Sequence, residues 1–175
     1  MTSATPVEGP GAAHETVTRC IYARHDGHDR LELETTVECS QARLWQAVVD
    51  PAQRAVWFFA GVLDPRPEGL VALVENGPGI TGRVVTVDAP RAMLLDWSSL
   101  DGPDSQVSFR LESDGAGATL RLSHHLNDRC RPDRLAAGWH AILDDLAEFV
   151  RHESVTSRPD RHARLTDRYR GYATT

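Results

Sequence analysis

The stretch from Asp133 to Arg151, DRLAAGWHAILDDLAEFVR, constrains this 175-residue chain more than any other. Leu135, Trp139, Ile142, Leu146 and Phe149 recur at steps of four, three, four and three, and Leu143 and Val150 widen the stripe. The spacing predicts one long amphipathic helix near the C-terminus, with Asp144, Asp145 and Glu148 on the opposite, solvated face. A helix with one apolar stripe must bury it against another layer. Most of what precedes it reads as strand, so the pattern predicts a sheet curled around this helix.

In chain order, residues 1–15 are rich in Pro, Gly, Ala and Thr and read as a disordered N-terminal segment. Val17 to Ala23 and Leu31 to Val37 flank the polar turn His25-Asp26-Gly27-His28-Asp29, the pattern of a β-hairpin. In its second arm Leu31, Leu33, Thr35 and Val37 alternate with polar neighbours, so one face is buried. Ser40 offers a helix N-cap, followed by Leu44, Trp45, Val48 and Val49 on one apolar side. Asp50-Pro51 breaks that helix, and a second short helix is expected over Ala55 to Phe59. Strands are expected at Leu70–Val74, Gly82–Val87, Met93–Ser98, Gln106–Leu111 and Thr119–Leu126, an antiparallel meander punctuated by Gly, Pro, Asn and Asp. Residues 16–152 therefore read as one domain of the α+β class. It is a curved antiparallel sheet wrapped around a long C-terminal helix, with two short helices after the first strand. Large side chains must fill the space between sheet and helix, or a small-molecule cavity remains there.

Charge and composition exclude several functions. The net charge of −6 disfavours nucleic acid as a partner. Residues 151–175 hold six arginines against three acids (+3), and the remainder thirteen against 22 (−9). The basic tail, residues 153–175, is therefore expected to pack on an acidic body. All 19 basic residues other than histidine are arginine. Without lysine there is no Schiff-base chemistry and no P-loop, and no cofactor is expected. The longest apolar run, Ala55 to Leu63, is too short to span a bilayer, and residues 1–15 lack the basic and apolar regions of a secretory signal. Cys20, Cys39 and Cys130 are odd in number and lack metal-type spacing. They read as free thiols in a reducing cytoplasm, with no membrane partner and a monomeric or homodimeric state.

Leu44-Trp45, Asp50-Pro51, Trp57-Phe58, Gly82-Arg83-Val84-Val85, Ala89-Pro90, Leu95-Asp96-Trp97, Gly138-Trp139-His140 and Leu143-Asp144 occur in an order that resembles the START/SRPBCC superfamily. Within it, the chain is most similar to the branch named after the Aha-type activator of the heat-shock chaperone ATPase. The likeness covers about Leu31 to Val150. It implies the helix-grip fold and a hydrophobic ligand cavity under the long helix. Members so related range from carriers to polyketide aromatase/cyclases. Residues 1–30 do not resemble the activator's chaperone-binding N-terminal domain, so the family name does not itself assign a function.

His124 is the leading candidate for chemistry. In Leu120-Arg121-Leu122-Ser123-His124-His125-Leu126 it shares the face of the leucines and should point inward, with His125 outward. An inward histidine can serve as a catalytic acid or base, or be a core histidine satisfied by a backbone carbonyl, the commoner outcome. His140 lies one turn before Asp144, so a His–Asp contact there either orients a reactive imidazole or holds the tail or a loop. His25 and His28 sit in a turn without a third ligand nearby, so no metal site is expected. Trp57, Phe58, Trp97, Phe109, His124, Trp139 and Leu143 are the expected ligand-binding set, the aromatic rings serving either to stack on a planar ligand or to fill the core. Asp96, Glu112 and Asp144 are expected on outward faces, which leaves no inward pair of carboxylates.

Three functions fit these residues. One is a carrier or sequestering protein for a small hydrophobic or aromatic molecule. The second is an enzyme of the cyclase/aromatase kind in the same cavity, with His124 moving a proton. The third is a co-chaperone-like interaction module, supported by fold analogy alone.

Overall fold

A computed structural model describes residues 17–25, 28–74, 79–99, 105–113, 115, 117–126 and 131–174. The segment 1–15, the turn residues Asp26 and Gly27, Cys130, and the side chains of His25 and His28 lie outside the described residues. The strands are β1 (Val17–His25), β2 (His28–Val37), β3 (Ala60–Leu63), β4 (Leu70–Val74), β5 (Ile80–Asp88), β6 (Ala92–Ser99), β7 (Ser105–Ser113) and β8 (Ala118–Leu126). They form one antiparallel sheet in the order β1-β2-β8-β7-β6-β5-β4-β3. Between β2 and β3 lie α1 (Gln41–Val49) and α2 (Pro51–Trp57); after β8 come α3 (Pro132–His152) and α4 (Arg161–Arg168), then a 3₁₀ turn at Arg170–Thr174.

The inner face follows from period-two alternation. Leu31, Leu33, Thr35 and Val37 on β2 are buried, as are Val107, Phe109 and Leu111 on β7 and Leu120, Leu122, His124 and Leu126 on β8. Register aligns these rows: Leu31 and Val107 flank His124, and Leu33 and Phe109 flank Leu122. No bulge interrupts β8, so alternation carries through to its end.

Three local expectations are corrected. The second helix starts at Pro51, not Ala55, and ends at Trp57. Asp50 Oδ1 accepts the Gln53 N–H at 2.9 Å, and Pro51 fills the first helical position, where it needs no donor. The same dipeptide that ends α1 therefore starts α2. Phe58 and Phe59 fall beyond the helix, with Phe58 in extended backbone. A short strand, β3, then pairs with β4; four residues containing Gly61 give too little alternation to recognise.

Arg54 on α2 is 1% exposed. Its guanidinium donates to the Val49 carbonyl at 3.1 Å and to the Gly61 carbonyl at 2.6 Å, tying the end of α1 to β3. Burial pushes its pKa down, partly offset by Asp50. Arg54→Met should keep the volume but strand those carbonyls, lowering stability by about 2 kcal/mol. A denaturation midpoint equal to wild type would show that the tie contributes nothing.

α3 lies across the concave face, beginning with Pro132. Its stripe is not uniformly buried, contrary to the sequence expectation. Trp139, Leu143, Leu146 and Phe149 are in the core, whereas Leu135 and Ile142 are only half-buried. The two half-buried positions lie in the first half of the helix, and Leu143, Leu146 and Phe149 in the second. Asp144 is also corrected: it is 5% exposed, not solvated. The C-terminal segment covers that side of α3. Arg161 pairs with Asp145 at 2.6 Å, Arg158 with Glu148 at 2.7 Å, and Tyr169 Oη lies 2.6 Å from His140 Nδ1. His140 Nε2 is 3.5 Å from Asp144, so this histidine sits between α3 and the tail, away from the cavity.

Candidate functional site

A pocket of about 360 Å³ opens between the first half of α3 and the sheet. Phe58 and Phe59 enter it from the segment after α2, Ile80 from the start of β5, Trp97 from the end of β6 and His124 from the end of β8. The helix supplies Arg134, Leu135, Gly138, Trp139 and Ile142, one stripe along its first half. The size lies at the lower end of the range for small-molecule sites.

The walls are aromatic. Phe58 stacks on Phe59 with centroids 4.2 Å apart, and faces Trp97 at 6.2 Å and Trp139 at 5.8 Å. Trp97 and Trp139 lie 5.6 Å apart. Of the seven residues expected to bind ligand, Phe58, Trp97, His124 and Trp139 line the pocket. Trp57, Phe109 and Leu143 do not; they are buried behind it. Trp57 supports Phe58 at 5.4 Å and donates its indole N–H to the Ala47 carbonyl at 3.0 Å. Phe109 meets Trp139 edge-on at 6.2 Å. Leu135 and Ile142 were legible as part of the helix stripe, but not as pocket wall. Gly138 was legible as a helix-interior glycine, an unfavourable choice that calls for a local reason. Nothing in the local pattern marked Arg134.

His124 is 2% exposed and points inward. Trp139 Nε1–H donates to its Nδ1 at 3.0 Å. Its Nε2 is 2.9 Å from Ser105 Oγ, and that hydroxyl donates to the Trp97 carbonyl at 3.0 Å. The chain of donors fixes the tautomer. An indole nitrogen can only donate, so Nδ1 carries the lone pair. A neutral ring then has its proton on Nε2 and gives it to Ser105. Burial, with a lesser contribution from His125, pushes the imidazole down to about 4, keeping it neutral.

This arrangement resembles a Ser–His pair but has the opposite polarity. In a nucleophilic triad the third group accepts from the imidazole, leaving the other nitrogen free to take the serine proton. Here the third group is an indole donor, so Nε2 already bears a proton. Neither nitrogen has a spare lone pair facing the pocket. What the assembly does is hold both tryptophans: Trp139 through its indole and Trp97 through its backbone.

Among the described residues, no cluster of three or more His, Cys, Asp or Glu side chains is placed to hold a metal ion. No helix there is long and apolar enough to cross a membrane. Cys20 and Cys39 are free thiols.

A curved antiparallel sheet gripping a C-terminal helix, with a pocket beneath it, is the helix-grip architecture of a ligand-binding domain. Residues 38–151 match the model of the activator of Hsp90 ATPase homolog 1-like protein family, and the chain belongs to that family, within the START/SRPBCC superfamily. No curated protein matches it in sequence. Its fold is similar to that of CalU16 from Micromonospora echinospora, at a TM-score of 0.74 and 20% identity over 90% of this chain and 98% of that one. It is also similar to a conserved protein of unknown function from Enterococcus faecalis, at 0.75 and 15% identity over 89% and 91% of the two chains. DynU16, a protein in the dynemicin biosynthetic locus, aligns at 0.67 and 23% identity over 72% of this chain and 48% of its own.

Proposed function

We propose that this protein is a cytoplasmic carrier or sequestering protein that takes up a small, flat, hydrophobic or aromatic molecule between the first half of α3 and the sheet. The observation that carries this reading is the aromatic pocket formed by Phe58, Phe59, Trp97 and Trp139. Aromatic side chains offer large stacking areas at little entropic cost, and their offset geometry suits a planar guest. Gly138 supports the same reading. A Cβ placed there meets nothing within 4 Å, so the space over the helix is open. A side chain would enter the pocket.

The cyclase/aromatase reading has less support. It needs a proton acceptor facing the ligand, and His124 has its lone pair occupied by Trp139. His124 positions the pocket wall, holding Trp139 through its indole and Trp97 through Ser105. An interaction module would leave the pocket without a purpose.

Gly138 gives the test. Gly138→Ala should stabilise the helix by about 0.5–1 kcal/mol, since helix-interior glycine is disfavoured and the new methyl meets no clash. Gly138→Leu should fill the pocket and abolish binding of a neutral probe, phenylnaphthylamine, while the thermal midpoint holds or rises. Undiminished probe emission from a folded Gly138→Leu protein would sink the carrier reading.

A further inference from the structure

An aromatic box admits two kinds of guest. Ring faces attract flat apolar molecules, and they also attract cations. The charges around the pocket discriminate between them. Among the described residues no carboxylate lines it, and Arg134 is the one ionised side chain there, standing exposed at the rim. His124 is neutral and has both nitrogens engaged by Trp139 and Ser105. Among the described residues no acid pairs with Arg134. The adjacent Asp133 is taken by Arg131, which holds both its oxygens at 3.1 and 2.8 Å. Among the described residues a cationic guest would therefore meet a guanidinium at the entrance and no carboxylate inside. An anion reaching the rim would find five N–H donors in a planar fork.

Building on the carrier reading, we infer that the pocket selects aromatic acids: flat ring systems that carry a carboxylate, phenolate or sulfonate at one edge, with the rings laid against the wall that Phe58, Trp97 and Trp139 form and the anion on Arg134. The guest enters rings first, because the anion stays at the wet rim where its desolvation is slight. Recognition by an exposed rim charge adds selectivity rather than most of the affinity.

Two probes that share a ring system and differ by one anion test this: anilinonaphthalene sulfonate and the uncharged phenylnaphthylamine, each titrated by emission against the intact protein. The sulfonate should bind more tightly to wild type, and added salt should weaken it alone. Arg134→Gln should weaken the sulfonate about five- to tenfold and leave the neutral probe unchanged, and Arg134→Glu should reverse the preference. Gly138→Leu should remove both signals, which separates pocket binding from adsorption on surface arginines. If Arg134→Gln leaves the ratio of the two affinities at its wild-type value, the anion inference is overturned while the carrier reading stands. If neither probe binds, or Gly138→Leu binds both, the pocket reading falls and takes this inference with it.

Discussion

Trp139→Ala should cost about 3–5 kcal/mol of stability and eliminate ligand uptake. The ring is 4% exposed, stands between α3 and the sheet, and touches Phe58, Trp97, Phe109 and His124. Removing it deletes a wall of the pocket and leaves a hole in the core. It also strips His124 Nδ1 of its donor. Trp139→Phe separates these effects. Most of the area survives, and the unmet imidazole lone pair alone should cost about 1–3 kcal/mol. Urea denaturation of both variants gives the values directly. A loss below about 1 kcal/mol for the alanine variant would place the ring outside the packed core.

The second large effect is on pH dependence. His124 ordinarily titrates near 6.5, and burial lowers it to about 4 in the folded state. Between those values the unfolded chain binds more protons than the folded one, so stability rises with pH. The contribution is full above 6.5 and is lost as pH falls toward 4. At about 1.4 kcal/mol per pH unit, the loss amounts to about 3 kcal/mol across that window. Protonation forces the break, because a charged imidazole donates from both nitrogens and would meet the Trp139 N–H head-on. His124→Gln should be less stable than wild type at neutral pH, yet flatter through the acid range. Denaturation at several pH values reads the two slopes; parallel curves would mean that His124 is not held neutral by the fold. If His124 were instead a catalytic base, the same variant would keep its fold and binding but lose turnover about 10²–10⁴-fold.

Periodicity made much of this fold legible. The stripe from Leu135 to Phe149 announced α3, and alternation along β8 placed His124 inward and His125 outward. Periodicity reports which face is apolar, however, not how closely that face approaches its partner. Leu135 and Leu146 share one stripe, yet Leu135 lines a pocket and Leu146 is core. Asp144 looked solvated because acidic residues on a helix usually are. The folded tail packs along that side of α3, with Tyr169 set against His140. Arg54 gave no local sign of burial, since its partners are carbonyls on other elements. Arg134 likewise acquires meaning only from the rings around it. The orientation of His124 was readable from the strand, but its tautomer depends on an indole fifteen residues away on a different element.

The four tryptophans report separately on the pocket and on the core around it. Trp97 and Trp139 line the pocket, whereas Trp45 and Trp57 are buried outside it. Each indole N–H gives its own signal in a nitrogen–proton correlation spectrum, and single Trp→Phe variants assign them. Titration with phenylnaphthylamine should shift the Trp97 and Trp139 signals saturably, with one common dissociation constant, and leave those of Trp45 and Trp57 in place. Four unmoved signals, or movement confined to Trp45 and Trp57, would contradict a ligand site between α3 and the sheet.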